Sequence, residues 1–199
     1  MNTLVSVNNL SKNFSRFEAV KNISFTINEG EILGLLGPNG CGKTTTIGMM
    51  LGLLKPTNGE VVINGLNVEK NRIKLLRRMN FISPYIELPK KLTVRENLMV
   101  YGKLYSVYGI KNRIDYLTET LRLGEFINKK TGELSSGQKN RVSLAKAVVN
   151  DPDILLLDEP TASLDPETGD FVRSFIEKIS SEKKMSVLLA SHNMNEVKR

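Results

Sequence analysis

The run Gly37-Pro38-Asn39-Gly40-Cys41-Gly42-Lys43-Thr44-Thr45 fits the phosphate-binding pattern G-x-x-x-x-G-K-[ST] at every fixed position. Such a loop works between a strand and a helix, and the flanks supply both. Glu31 to Leu36 (EILGLL) is a short apolar run suited to a buried parallel strand, and Thr44 to Leu54 reads as a helix. Glycines let backbone N–H groups wrap a phosphate, and the helix N-terminus adds partial positive charge. Lys43 can reach the outer phosphates of a nucleotide, and the Thr44 hydroxyl can ligate magnesium. The pattern demands an α/β fold and predicts a polyphosphate ligand.

A second apolar run, Asp153 to Leu157, reads as a fully buried parallel strand that delivers Asp158 and Glu159 at its carboxyl end. Pleating sends adjacent side chains in different directions, so Asp158 is expected to serve a metal while Glu159 faces a water beside the γ-phosphate. Met185 to Ala190 is the next strand and leads to Ser191 and His192, the single histidine of the chain. A lone histidine is usually a satisfied surface or core residue, but at a strand's carboxyl edge it can reach a phosphate.

Ahead of the phosphate loop, Leu4 to Val7 and Ala19 to Ile27 read as strands of a small antiparallel sheet. Phe14 is expected on a loop between them, either as a core residue or as a ring stacked on a base. Glu60 to Ile63 is a strand, Lys70 to Arg78 a short basic helix, and Asn80 to Ser83 a further strand. Beyond Pro84 and Pro89 the pattern turns helical: the TVRE sequence at Thr93 is a capping box opening a helix to about Tyr105, and helices follow near Asn112 to Leu121 and Gly137 to Val149. Val172, Phe175, Ile176 and Ile179 form a helical stripe for core packing. The helical middle is an insertion within one domain.

The 199 residues, 40% of them hydrophobic, suffice for one sizeable core. No apolar run is long enough to span a bilayer, and the N-terminus lacks the pattern of a signal peptide. Cys41 is the only cysteine, which excludes an intrachain disulfide and suits a reducing cytosol. The net charge of +7 is concentrated: Lys70 to Lys146 holds 17 Lys/Arg against 6 Asp/Glu. That surface is either a solvated face of several helices or one that meets an acidic partner or anionic lipid heads.

With these pieces in order, the chain resembles the ATP-binding subunit of ABC transporters over nearly its whole length. Gly37 to Thr44 is the Walker A loop, Leu134-Ser135-Ser136-Gly137-Gln138 is similar to the family signature, and Ile154 to Asp158 followed by Glu159 is similar to Walker B. Ser163-Leu164-Asp165 resembles the D-loop, and His192 the switch histidine. The resemblance implies an ABC-type P-loop fold: an ATP-binding core with an antiparallel β subdomain (1–83 and 150–199) and an inserted helical subdomain (84–149). It implies ATP and Mg2+ as ligands, with Lys43 and the loop residues Gly37 to Thr45 on the phosphates and Thr44 and Asp158 on the metal. Glu159 would orient and deprotonate water, His192 would contact the γ-phosphate and Phe14 would stack on adenine. Ser135, Gly137 and Gln138 would face the ATP of a second ATPase chain, so the working state is a dimer. Taken alone, Ser135 also reads as an ordinary helix cap.

The implied partner is a separate membrane-spanning chain, with this one peripheral on the cytoplasmic face and no nucleic acid expected. The alternative is a soluble switch of the same type acting on ribosomes or DNA. Two departures stand out: Ser136 occupies the place of the first signature glycine, and Ser83-Pro84-Tyr85 stands where the family places a glutamine. Ser83 is expected to replace part of that glutamine's contact. The chain stops seven residues after His192, where the family usually continues, so the final part of the usual domain is expected to be missing.

Overall fold

A computed structural model of the chain describes residues 2–83, 87–162 and 164–193. Pro84 and Tyr85, which follow Ser83, and Ser163 of the D-loop lie outside the described residues. Two sheets share the fold. The first is antiparallel and built from β1 (Thr3–Phe14), β2 (Phe17–Asn28), β4 (Asn58–Ile63) and β5 (Leu66–Asn67), in the order β2-β1-β4-β5. The second is parallel and built from β3 (Ile32–Leu36), β6 (Met79–Ile82), β7 (Ile154–Asp158) and β8 (Ser186–Ser191), in the order β3-β8-β7-β6.

Every residue of β7 and β8 is buried, as their unbroken apolar runs require of strands covered on both faces. Alternation then divides their side chains between two cores. Leu155, Leu157, Val187 and Leu189 join a cluster with the helices of the insertion, while Ile154, Leu156, Leu188 and Ala190 join one with the antiparallel sheet and the helix after the phosphate loop. Each such side chain contributes about 1.5–3 kcal/mol by leaving water.

The helices are α1 (Lys43–Met50), α2 (Val68–Leu76), α3 (Val94–Leu104), α4 (Ile110–Thr120), α5 (Ser136–Val148) and α6 (Pro166–Lys183). The capping box at the start of α3 is present: the Thr93 hydroxyl accepts from Glu96 N–H, and the Glu96 carboxylate accepts from Thr93 N–H at 2.7 Å. Val94, Leu98, Ile114 and Leu117 of α3 and α4 pack with Val142, Ala145 and Val148 of α5 in the same cluster that reaches the parallel sheet. The insertion therefore shares one core with the sheet.

Three expectations change. The first two strands run to 12 residues each, absorbing the polar segment around Asn8, Asn9 and Lys12 through shifts of register at Val7/Leu10 and Leu10/Lys12. Phe14 is consequently the last residue of β1, paired with Phe17, and not a loop residue. The helix after the phosphate loop stops at Met50 instead of Leu54, because Gly52 takes φ 64 and the N–H groups of Leu53 and Leu54 turn back onto Gly48 O.

Candidate nucleotide site

The carboxyl ends of β3, β8 and β7 lie side by side, and each delivers part of one site. The Gly37 N–H bonds Ser191 O at 3.2 Å, fastening the start of the phosphate loop to the end of β8. Gly42 caps α1 at φ 96, a conformation open to glycine, and a Cβ there would stand 2.3 Å from Ala19 O. Gly37, Pro38, Gly40, Cys41, Gly42 and Lys43 line a cavity of about 590 Å³. Asn39 is exposed at the loop's tip, and Thr45 is half-buried in the first turn of α1.

Lys43 is 7% exposed, and its ammonium turns back into the loop: Nζ donates to Gly37 O at 2.7 Å and to Pro38 O at 3.2 Å. It also stands 3.6 Å from Glu159 Oε1. That oxygen is buried and accepts no hydrogen bond among the described residues, so Lys43 is its electrostatic partner. The other oxygen, Oε2, lies 2.8 Å from His192 Nδ1 and accepts from Ser191 Oγ at 3.4 Å. Thr44 Oγ1 donates to Asp158 Oδ2 at 2.7 Å.

Asp158 and Glu159 do separate, but simple pleating is not the cause. Asp158 ends β7, while Glu159 has already left the strand with φ 51, its N–H held by Ala190 O at 2.9 Å. The left-handed backbone turns its carboxylate toward Lys43 and His192.

A hydroxyl and a carboxylate oxygen in contact are hard donors of the kind magnesium takes, and magnesium uses few protein ligands when phosphates complete its shell. The residues present fit that ion. Ser83 is buried and faces, with Glu159, Pro160 and Asn140, a second cavity of about 220 Å³.

The phosphate-loop cavity has an aromatic wall that sequence reading missed. Phe17, 62% exposed, lines it. Phe14, expected to stack on the base, pairs with Phe17 across the strands but is not among the residues that line the cavity, and its ring lies 5.1 Å from the Lys12 ammonium. The signal was the second phenylalanine in Phe14-Ser15-Arg16-Phe17, legible once the segment is a hairpin end.

The signature segment lies at a different cavity, of about 520 Å³, with Ser135, Gly137 and Gln138 in its lining beside Arg122 and Arg141. Ser135 caps α5: Oγ accepts from Gln138 N–H at 3.2 Å, and Gln138 Oε1 accepts from Ser135 N–H at 3.1 Å. The cap uses a lone pair of the hydroxyl and leaves its proton for another acceptor. Asp165 caps α6 nearby, and the Thr168 hydroxyl and N–H hold its carboxyl below the usual aspartate range.

Residues 20–162 match the family model described as ABC transporter. The chain belongs to the ABC transporter family. It is 37% identical over 202 residues to the bacitracin transport ATP-binding protein of Bacillus licheniformis, covering 100% of this chain and 65% of that protein. It is 38% identical over 197 residues to the Nod factor export ATP-binding protein I of Burkholderia lata, covering 98% of this chain and 64% of that one. The chain thus spans just under two thirds of the length of these curated relatives. Among solved structures, a dimeric post-hydrolysis state of an ATP-binding cassette bound to ADP and Pi superposes with a TM-score of 0.87 at 30% identity, over 97% of this chain and 90% of the other. The fold is that of an ABC ATPase cassette.

Proposed function

We propose that this chain binds ATP and hydrolyses it to ADP and phosphate, and that it is the ATP-binding subunit of a transporter whose membrane-spanning part is a separate chain. The observation that carries the reading is the convergence of Lys43, Thr44, Asp158, Glu159 and His192 at the carboxyl ends of three parallel strands. Lys43 and the loop amides hold the outer phosphates, and Thr44 and Asp158 hold Mg2+, which supplies charge neutralisation on the phosphate oxygens when bound. Glu159 accepts a proton from the attacking water. His192, at 2.8 Å from Glu159, orients that carboxylate and contacts the γ-phosphate. Phe17, which lines the cavity, flanks the base, with Phe14 paired to it on β1.

In this reading a second ATPase chain completes the site. Ser135, Gly137 and Gln138 offer the positive end of α5 and the unused Ser135 proton to the nucleotide of the partner. The dimeric state of the similar cassette supports the arrangement. Residues 84–149 form the inserted helical subdomain, 1–83 and 150–199 the ATP-binding core, and Ser83 carries part of a water-side contact from the wall it shares with Glu159. The names of the relatives, for bacitracin transport and Nod factor export, favour transport over a ribosome- or DNA-directed switch. No helix among the described residues is long and apolar enough to cross a membrane, which accords with a peripheral subunit on the cytoplasmic face.

The test is Glu159→Gln. The amide fills the same space but cannot take a proton, so ATP binding is retained, hydrolysis falls at least about 100-fold, and ATP holds a dimer on size-exclusion chromatography. Hydrolysis at the parent rate refutes the role of Glu159.

A further inference from the structure

Glu159 holds φ 51 with Pro160 directly behind it. A positive φ is uncommon for a residue with a side chain, and proline disfavours helical backbone in the residue before it. Such a turn needs outside support. The Glu159 N–H donates to Ala190 O at 2.9 Å, and its carbonyl accepts from Ala162 N–H at 3.1 Å. The third tie is to Pro160, which is buried and whose carbonyl accepts from the Asn140 side-chain amide at 3.1 Å. Proline has no N–H, so that carbonyl is its one polar backbone group.

The bond has one sense only. A carbonyl oxygen accepts and cannot donate, so the Asn140 amide turns its NH2 group toward Pro160 and its own oxygen away. That oxygen, Oδ1, is buried and has no hydrogen-bond partner among the described residues. An unsatisfied buried acceptor is costly, and what the fold gains from an amide at this position is the hold on Pro160. Further along the same helix the buried positions are apolar, as at Val142, Leu144 and Ala145.

Asn140 stands in the second turn of α5, two residues beyond Gln138. The helix is fixed at its start by the Ser135–Gln138 capping box and further along by Val142, Ala145 and Val148 in the core. The donor is therefore carried by a rigid element. One residue from its grip is the Glu159 carboxylate, with Oε1 3.6 Å from Lys43 Nζ and Oε2 2.8 Å from His192 Nδ1. Release of Pro160 O would let the turn relax and draw the carboxylate off these partners, and a displacement of about 1 Å can cost about 100-fold in rate. We propose that Asn140 is a positioning residue for Glu159: carried on the signature helix, its amide holds the turn that aims the base. The proposal rests on the assignment of Glu159 as the base and needs no contact between Asn140 and nucleotide.

The test compares the parent with Asn140→Ala and Asn140→Asp at about pH 8. An ionised aspartate has the same shape but presents an oxygen where the NH2 group was, which separates the lost donor from lost volume. Both variants are expected to lower kcat at least about 10-fold, while KM and the affinity for a fluorescent ATP analogue stay within about twofold of the parent. With no nucleotide added, hydrogen exchange at the Glu159 and Ala162 amides should be about 10-fold faster in both variants, with the α5 amides unchanged. In a Glu159→Gln background the base is already gone, so adding Asn140→Ala should lower single-turnover hydrolysis less than about twofold further. Parent kcat in either variant would overturn the proposal, as would unchanged exchange at residues 159–162 or a full second loss in the double variant. A fall in ATP affinity as large as the fall in kcat would show general deformation of the site and would overturn it too. Hydrolysis at the parent rate by Glu159→Gln alone would instead overturn the assignment of the base, so the two failures are told apart.

Discussion

Replacing Lys43 by methionine keeps the buried stem and removes only the charge. The ammonium donates to two loop carbonyls, at 2.7 and 3.2 Å, and offsets the buried Glu159 Oε1 at 3.6 Å. In the proposed complex ATP would replace the carbonyls with phosphate oxygens, a stronger charge-assisted partner. Each hydrogen bond to a charged group contributes about 1.5–3 kcal/mol net, so losing one to two phosphate contacts costs about 3 kcal/mol, or about 100-fold in affinity. Titration with a fluorescent ATP analogue reads this directly. AMP, which lacks the outer phosphates, should bind the variant and the parent alike. The same change leaves Glu159 without its cation and lowers the stability of the free protein by about 2 kcal/mol, visible as a lower melting temperature. ATP affinity within twofold of the parent would refute the assignment of the outer phosphates to Lys43, and an equal loss for AMP would show that the loop had merely collapsed.

Gly42→Ala forces a Cβ to within 2.3 Å of Ala19 O at a backbone φ of 96, and should cost about 2–4 kcal/mol in calorimetric unfolding together with nucleotide binding. Lys146, on α5, reaches Asn80 Oδ1 and Phe81 O at 3.3 Å and lies 5.4 Å from the Tyr101 ring centre, and burial pushes its ammonium below the ordinary 10.5. Because the unfolded chain binds this proton more tightly than the folded one, the group makes stability rise with pH between its lowered value and 10.5. Lys146→Met should flatten that rise in denaturant titrations across alkaline pH, and an unchanged slope would assign it to another group.

The parts of the fold that can be read from the chain are those where one local pattern dominates. The apolar runs of β7 and β8, the Thr93 capping box and the glycine pattern of the phosphate loop each leave a single physical solution. The antiparallel strands at Leu4 to Val7 and Ala19 to Ile27 were legible, but their extension to the hairpin end at Phe14 and Phe17 hid because Asn8, Asn9, Lys12 and Asn13 are poor strand residues whose extended backbone is secured by pairing with β2 and β4, a long-range interaction. Within the site, residue types and spacing indicated Lys43, Thr44, Asp158, Glu159 and His192, but not that Glu159 leaves the strand in a left-handed turn. That geometry depends on Ala190 O, which comes from another strand.

Glu159 at φ 51 has a further consequence for anyone evolving this protein for robustness. A left-handed residue with a side chain carries a strain of about 1 kcal/mol that glycine does not. A glycine there would also remove the carboxylate oxygen buried against Lys43. The strain relieved is smaller than the roughly 2 kcal/mol carried by the pair with Lys43, so even a screen that rewards heat resistance alone would hold the glutamate at position 159.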